Sequence, residues 1–327
     1  MRVTALCITL AALAACERVD RRRTPPPPPQ ASQDVDTVAP AQPQVSSTGG
    51  SRATKVGTVV GLLAPESVLD DSAQDIYFVS NINGGPLTKD NNGFITRVRP
   101  DGAIEVLKFI EGGRGGVTLN APKGLAVLGD TLWVVDIDVL RAFNARTGVP
   151  IDSVKLDSLG AVFLNDIAIA PNGAIYVTDT GIRFDDVSNV LHPGPDRIFR
   201  VGPDRKVTVA VRGDTLGRPN GITLDAVGRR FIVVQYGGKA VLAWKPGDRA
   251  PSVIAKGVGG FDGVEMIGGK VVVSSWADSS ITRFDSTQGT KIITGVPTPA
   301  DIGYDAKRNR VLIPILTGNR VEIWQLK

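Results

Sequence analysis

Six short segments of the sequence share one pattern, in which a polar residue follows a Pro or an apolar residue and opens an apolar run. They are Pro65-Glu66-Ser67-Val68, Pro122-Lys123-Gly124-Leu125, Leu164-Asn165-Asp166-Ile167, Pro219-Asn220-Gly221-Ile222, Phe261-Asp262-Gly263-Val264 and Ala300-Asp301-Ile302-Gly303. Aligned, their second residues form a column: Glu66, Lys123, Asn165, Asn220, Asp262 and Asp301. Polar groups gathered away from water must pair with one another or bind something. Carboxylates and two amide carbonyls offer oxygen donors only, which is the chemistry of a hard cation such as calcium, magnesium or manganese. Zinc suits the column less well, because it contains neither Cys nor His. Three carboxylates against one ammonium leave a formal charge of −2, which one divalent cation neutralises. A second reading stays open. Asn220-Gly221 and Asp262-Gly263 are also turn dipeptides that shape the entry to a strand, and Glu66 and Lys123 could form a packing ion pair.

The elements that must position this column are strands. Each motif leads through a turn to an apolar, β-branched run: Ile76-Tyr77-Phe78-Val79, Leu132-Trp133-Val134-Val135, Ile175-Tyr176-Val177, Phe231-Ile232-Val233-Val234, Val271-Val272-Val273 and Val311-Leu312-Ile313. A third strand follows, as in Ile198-Phe199-Arg200-Val201, and often a fourth, as in Ile104-Glu105-Val106-Leu107. Gly, Asn and Asp punctuate the joints, as in Pro100-Asp101-Gly102. Four strands per repeat of roughly 40–55 residues is propeller spacing. The fold expected is therefore all-β, a six-bladed β-propeller, in which equivalent positions of the inner strands ring the central channel. The sixth repeat holds only three strands before Lys327, and residues 56–63 have no partner at their own end. They are expected to close the ring as the outer strand of the sixth blade, which removes an open sheet edge.

On the motifs Pro65-Glu66-Ser67, Leu164-Asn165-Asp166, Arg218-Pro219-Asn220-Gly221 and Phe261-Asp262-Gly263, residues 55–327 resemble the gluconolactonase–regucalcin (senescence marker protein) family of six-bladed propellers, which includes metal-dependent lactonases. The related diisopropyl-fluorophosphatase and paraoxonase propellers place a cation similarly. The resemblance implies Glu66, Asn220 and Asp262 as direct metal ligands, with Asn165 as a ligand or a substrate contact. The sugar lactonases carry an Arg two residues before the third-blade Asn, and here that position is Phe163. The substrate implied is correspondingly less polar. Lys123 is unusual for such a site. It either contacts substrate or replaces the cation by pairing with Glu66 and Asp301. His192, the one histidine, lies in the long polar insertion of residues 183–196 and is a further candidate contact. The function expected is a metal-dependent hydrolase of a lactone or other ester, with Asp262 and then Asp301 as the groups that move the proton. The rival is a non-catalytic propeller binding a ligand or a protein through its rims. Pro122-Lys123-Gly124-Leu125 with Trp133-Val134-Val135-Asp136 also resembles NHL repeats, which are usually binding modules.

The N-terminal 54 residues read differently. Arg2, the apolar run of residues 3–13 and Leu13-Ala14-Ala15-Cys16 resemble the signal and lipobox of bacterial lipoproteins. Cleavage before Cys16 would leave a lipidated cysteine and a mature domain with no other, since Cys7 is the only other cysteine. Residues 1–15 are thus expected to be a signal peptide. Residues 16–54, with Pro25 to Pro29, are expected to be a disordered, Pro-rich tether. This places the domain in the cell envelope, touching the membrane through its anchor alone. The pI of about 9.1 arises mainly from this end, where Arg18 and Arg21 to Arg23 crowd together. From Lys55 onward 31 basic residues face 29 acidic ones, so no basic face for nucleic acid is expected. The partner expected is a small-molecule substrate.

Overall fold

The apolar runs become the second strands of six four-stranded antiparallel sheets in the computed structural model, which describes residues 53–185 and 189–327. The lipobox, Cys16 and the Pro-rich stretch lie outside the described residues. Each sheet is one blade. Blade 1 runs from its inner strand Pro65–Asp71 through Ile76–Asn81 and Phe94–Val98 to Ile104–Glu111. The inner strands of blades 2 to 5 are Pro122–Leu128, Leu164–Ile169, Pro219–Asp225 and Phe261–Ile267, and that of blade 6 is Gly303–Asp305. Helix is confined to three single 3₁₀ turns among the described residues. The protein is a six-bladed β-propeller.

Strand alternation explains the core. Successive side chains point to opposite faces, so Phe78 packs toward blade 2 with Leu125 and Val134, while Tyr77 and Val79 pack toward blade 6 with Leu312 and Ile323. Every neighbouring pair of blades shares one such apolar cluster. The second strands carry most of this area, because both of their faces are covered. Truncating one of their fully buried aromatics, such as Phe78 or Phe231, should cost about 3–5 kcal/mol.

Ring closure uses the N-terminal strand, displaced by three residues from the span expected. Ala53–Val60, not residues 56–63, pairs antiparallel with Arg320–Leu326, from Ala53 opposite Leu326 to Val60 opposite Arg320. The strand stops at Gly61, whose φ of 88° turns the chain. Leu63 N then donates to Asn81 Oδ1 at 3.0 Å, and its carbonyl accepts from Asn83 N. Leu63 is thereby committed to the mouth of blade 1 and cannot extend the closing strand.

Candidate functional site

The column residues do not sit in regular strand. In each of blades 1 to 5 the pairing register shifts within the motif: between Pro65 and Val68, Pro122 and Leu125, Leu164 and Ile167, Pro219 and Ile222, and Phe261 and Val264. Such a bulge re-aims a side chain, and here it turns the second residue of each motif toward the axis. The glycines that follow are there for close approach, not for a turn. A Cβ on Gly221 would lie 2.5 Å from the Asp262 carbonyl oxygen, and one on Gly263 would lie 2.4 Å from Ile302 N. The bulge thus presses each blade's backbone onto the next.

Pairing corrects the alignment of the sixth repeat. Pro299 lies opposite Ile315 as Pro65 lies opposite Asn81, so Ala300, not Asp301, is the equivalent of Glu66. Asp301 falls one position further along, level with Ser67, with which it forms a bridge and from whose Oγ its Oδ2 accepts a bond of 2.6 Å. The column is therefore Glu66, Lys123, Asn165, Asn220, Asp262 and Ala300. Two carboxylates against one ammonium give it a formal charge of −1 rather than −2.

All five polar members are buried, between 1 and 6 % exposed. Four of their oxygens have no hydrogen-bond partner: Glu66 Oε2, Asn165 Oδ1, Asn220 Oδ1 and Asp262 Oδ1. Burying an acceptor without a donor costs roughly 1–3 kcal/mol each, so four together in one ring call for a ligand. The donor set, two carboxylate and two amide oxygens, fits a hard divalent cation. Among the described residues no three Cys, His, Asp or Glu side chains form a metal cluster by themselves, in keeping with a set that is half amide. Burial holds the Glu66 carboxyl well above its ordinary range, and Asp262 and Asp301 push it further. Burial and Asp301 raise Asp262 likewise, against the nearby Trp276 indole. Burial raises Asp301 to about 7, although the Ser67 hydroxyl opposes it.

Lys123 does not take the place of a cation by pairing. Its Nζ donates to the carbonyls of Pro86 at 3.0 Å and Ala121 at 3.1 Å and stands 4.6 Å above the Phe163 ring. It has no ion pair with Glu66 or Asp301 among the described residues. Burial lowers its pKa, with Glu66 and Asp136 pulling the other way. Phe163 therefore faces the column through Lys123. His192 is held by Asp196: its Nε2 lies 2.6 Å from Asp196 Oδ1, and Asp196 Oδ2 accepts from Arg218 N at 2.6 Å. The histidine thus braces the chain as it enters the Pro219-Asn220 bulge.

A second ring escaped the sequence reading. The residues that immediately follow the six second strands are Ile82, Ile137, Thr180, Tyr236, Trp276 and Leu316. They lie at the same end of the blades as the column and collar it with mostly apolar side chains. Tyr236 meets Trp276 edge-on at 6.1 Å, and burial and Asp262 raise the Tyr236 hydroxyl. Ile82 and Ile137 pack with Ala121 and Leu316. The signal was available, since aligning the repeats gives a mostly apolar column two or three residues past the β-branched runs.

No family model matches the chain, and no curated protein matches it in sequence. Solved structures do. A gluconolactonase of Xanthomonas campestris superposes with a TM-score of 0.60 at 18 % identity, over 83 % of this chain and 89 % of that one. A structural-genomics target provisionally assigned as a gluconolactonase gives 0.57 at 17 % identity, over 84 % and 91 %. A chain of the nidogen/laminin complex gives 0.53 at 20 % identity, over 69 % and 78 %. At these identities the likeness is one of fold: this chain shares the six-bladed propeller of the gluconolactonases.

Proposed function

We propose that the protein is a divalent-metal-dependent hydrolase of a lactone or other ester. The observation that carries this reading is the set of four buried oxygens without donors, one each from Glu66, Asn165, Asn220 and Asp262, on the bulges of blades 1, 3, 4 and 5 of one ring. The structural likeness to gluconolactonases supports the substrate class. The four side chains would hold the cation, with calcium the first choice and magnesium or manganese next. Bound there, it would polarise a carbonyl and ease deprotonation of water. Glu66 and Asp262 supply the negative charge that offsets the cost of stripping it of solvent. Asp262 would also take the proton, through the oxygen not committed to the cation, with Asp301 one level below it in the channel. Lys123 places its Nζ in the same ring, held by two carbonyls and an aromatic face. Phe163, Tyr236 and Trp276 exclude water and suit a substrate less polar than a sugar lactone. The lipobox motif supports a place in the cell envelope, anchored through Cys16.

Calcium should raise the melting temperature of the purified protein, and chelator should lower it. Turnover on a panel of lactones and aryl esters should follow the same titration. Binding to the native state alone stabilises by about 2.7 kcal/mol at a hundredfold excess over Kd. Loss of both responses in Glu66→Gln and Asp262→Asn supports the reading. Calorimetry that detects no calcium, magnesium or manganese in the wild type removes it and favours a binding propeller, the role that the likeness to the nidogen/laminin complex would suggest.

A further inference from the structure

One feature that this mechanism leaves unused is a cavity of about 640 Å³, open on one side and lined by Leu87, Ile137, Ala161, Val162, Phe184 and Arg183, with Gly85 to Lys89 as one wall. These segments follow the second strands of blades 1 to 3 or enter the inner strand of blade 3, so the cavity opens at the column's end of the ring. Its wall is built from the column outward. Lys123, 1 % exposed, bonds Pro86 O and so fastens the wall to the ring. Asp179 accepts from the backbone N–H groups of Val162 and Phe163 at 3.2 and 2.8 Å, which fixes the opposite side. Three charged residues line the cavity. Lys89 and Asp138 neutralise each other as an ion pair. Arg183 pairs through its backbone with Leu191, but its side chain has no hydrogen-bond or ion-pair partner among the described residues. A concave surface that combines apolar side chains with one unmatched charge selects an amphipathic ligand of complementary sign.

We infer that this cavity is a binding compartment for a small amphipathic monoanion, its carboxylate on Arg183 and its apolar body against Leu87, Ile137, Val162 and Phe184. The inference rests on the hydrolase reading in one respect: it makes this compartment the seat of the far end of the ester, so the substrate class is an acyl or alkyl ester or lactone that bears an acidic group.

The test is calorimetric titration of the full-length protein in chelator with octanoate and, as the neutral comparator, octan-1-ol. Octanoate should bind one to one, and the alcohol about tenfold more weakly or worse, as expected for loss of one charge-assisted contact. Arg183→Gln should weaken octanoate about tenfold and leave the alcohol unchanged. Val162→Trp should abolish both by filling the cavity. Arg183 is exposed, so Arg183→Gln keeps the fold and carries the test by itself. No octanoate binding by the wild type, equal binding of acid and alcohol, or an unaltered Arg183→Gln overturns the inference. Because the titration is run without the cation, the two readings fail separately. Calcium-dependent hydrolysis with no octanoate binding removes only the compartment, and octanoate binding without hydrolysis removes only the enzyme.

Discussion

Two sets of buried acids lie at the same end of the blades in this ring, and they are treated in opposite ways. Asp136 and Asp179 end the second strands of blades 2 and 3 and are fully buried. Both are saturated. Asp136 accepts from Asn120 N, Ala121 N and Asn120 Nδ2, and from Arg141 Nε at 2.6 Å. Asp179 accepts from the N–H groups of Val162, Phe163 and Gly181 and from Arg197 Nη2 at 2.9 Å. Glu66 and Asp262, almost as buried, each keep an oxygen with no donor and have no cationic side chain within ion-pair reach among the described residues. The first pair is a brace that clamps the segments leading into Lys123 and Asn165. The second is left open. Burial and charge alone do not mark a site; uncommitted lone pairs do.

Breaking the brace should have the largest effect. Asp136→Ala would strand two backbone N–H groups and the Arg141 guanidinium, so unfolding in urea should show a loss of about 3–5 kcal/mol, with or without calcium. A loss that calcium restores would mean the two sets of acids are not distinct in role. Opening the comparison from the other side, Glu66→Gln should abolish the calcium response yet melt higher than the wild type in chelator, by a free energy of about 1 kcal/mol. The amide relieves a carboxylate that burial and its acidic neighbours disfavour. A Glu66→Gln protein that melts lower than the wild type in chelator would place Glu66 with the braces.

The smallest expected effect concerns pH. Asp301 is raised to about 7 and Glu265, further along the channel, to about 8, in both cases first by burial. An acid raised in the folded state contributes stability that is whole below its unfolded value near 4 and is lost as pH rises through its folded value. In chelator, the melting temperature should therefore fall from about pH 5 to about pH 8 and level off above it, and Glu265→Gln should flatten the upper part of that fall. A Glu265→Gln profile parallel to that of the wild type would take Glu265 out of the channel's acid set.

How much of this was legible in the sequence depended on what each residue's neighbours could hide. The repeats were plain, because β-branched runs such as Val271-Val272-Val273 and Val311-Leu312-Ile313 are the covered second strands and tolerate little else. The four oxygen donors were legible for the same reason: polar residues at one register position of apolar strands stand out once the repeats are aligned. Asp301 misled because the sixth motif carries its polar residue one position later than the others, and only the opposition of Pro299 to Ile315 shows which residue is the equivalent of Glu66. His192 was legible as an unusual residue in a long insertion, but nothing in its spacing showed that Asp196 engages it.

The sequence by itself determined the blade count, the identity of the strands, the use of the N-terminal strand to close the ring and the oxygen character of the column. Each of these follows from local periodicity and from strand number, which are properties of the chain read in order. Only the tertiary structure decided that Ala300 replaces Asp301 in the column, that Lys123 spends its hydrogen bonds on Pro86 and Ala121 carbonyls, and that an aromatic and aliphatic collar stands over the ring. It also decided which buried acids are saturated and which remain open. These are matters of which atoms lie within three ångströms of which others across blades. In a ring that brings residues 66 and 262 together, separation along the chain carries no information about that distance.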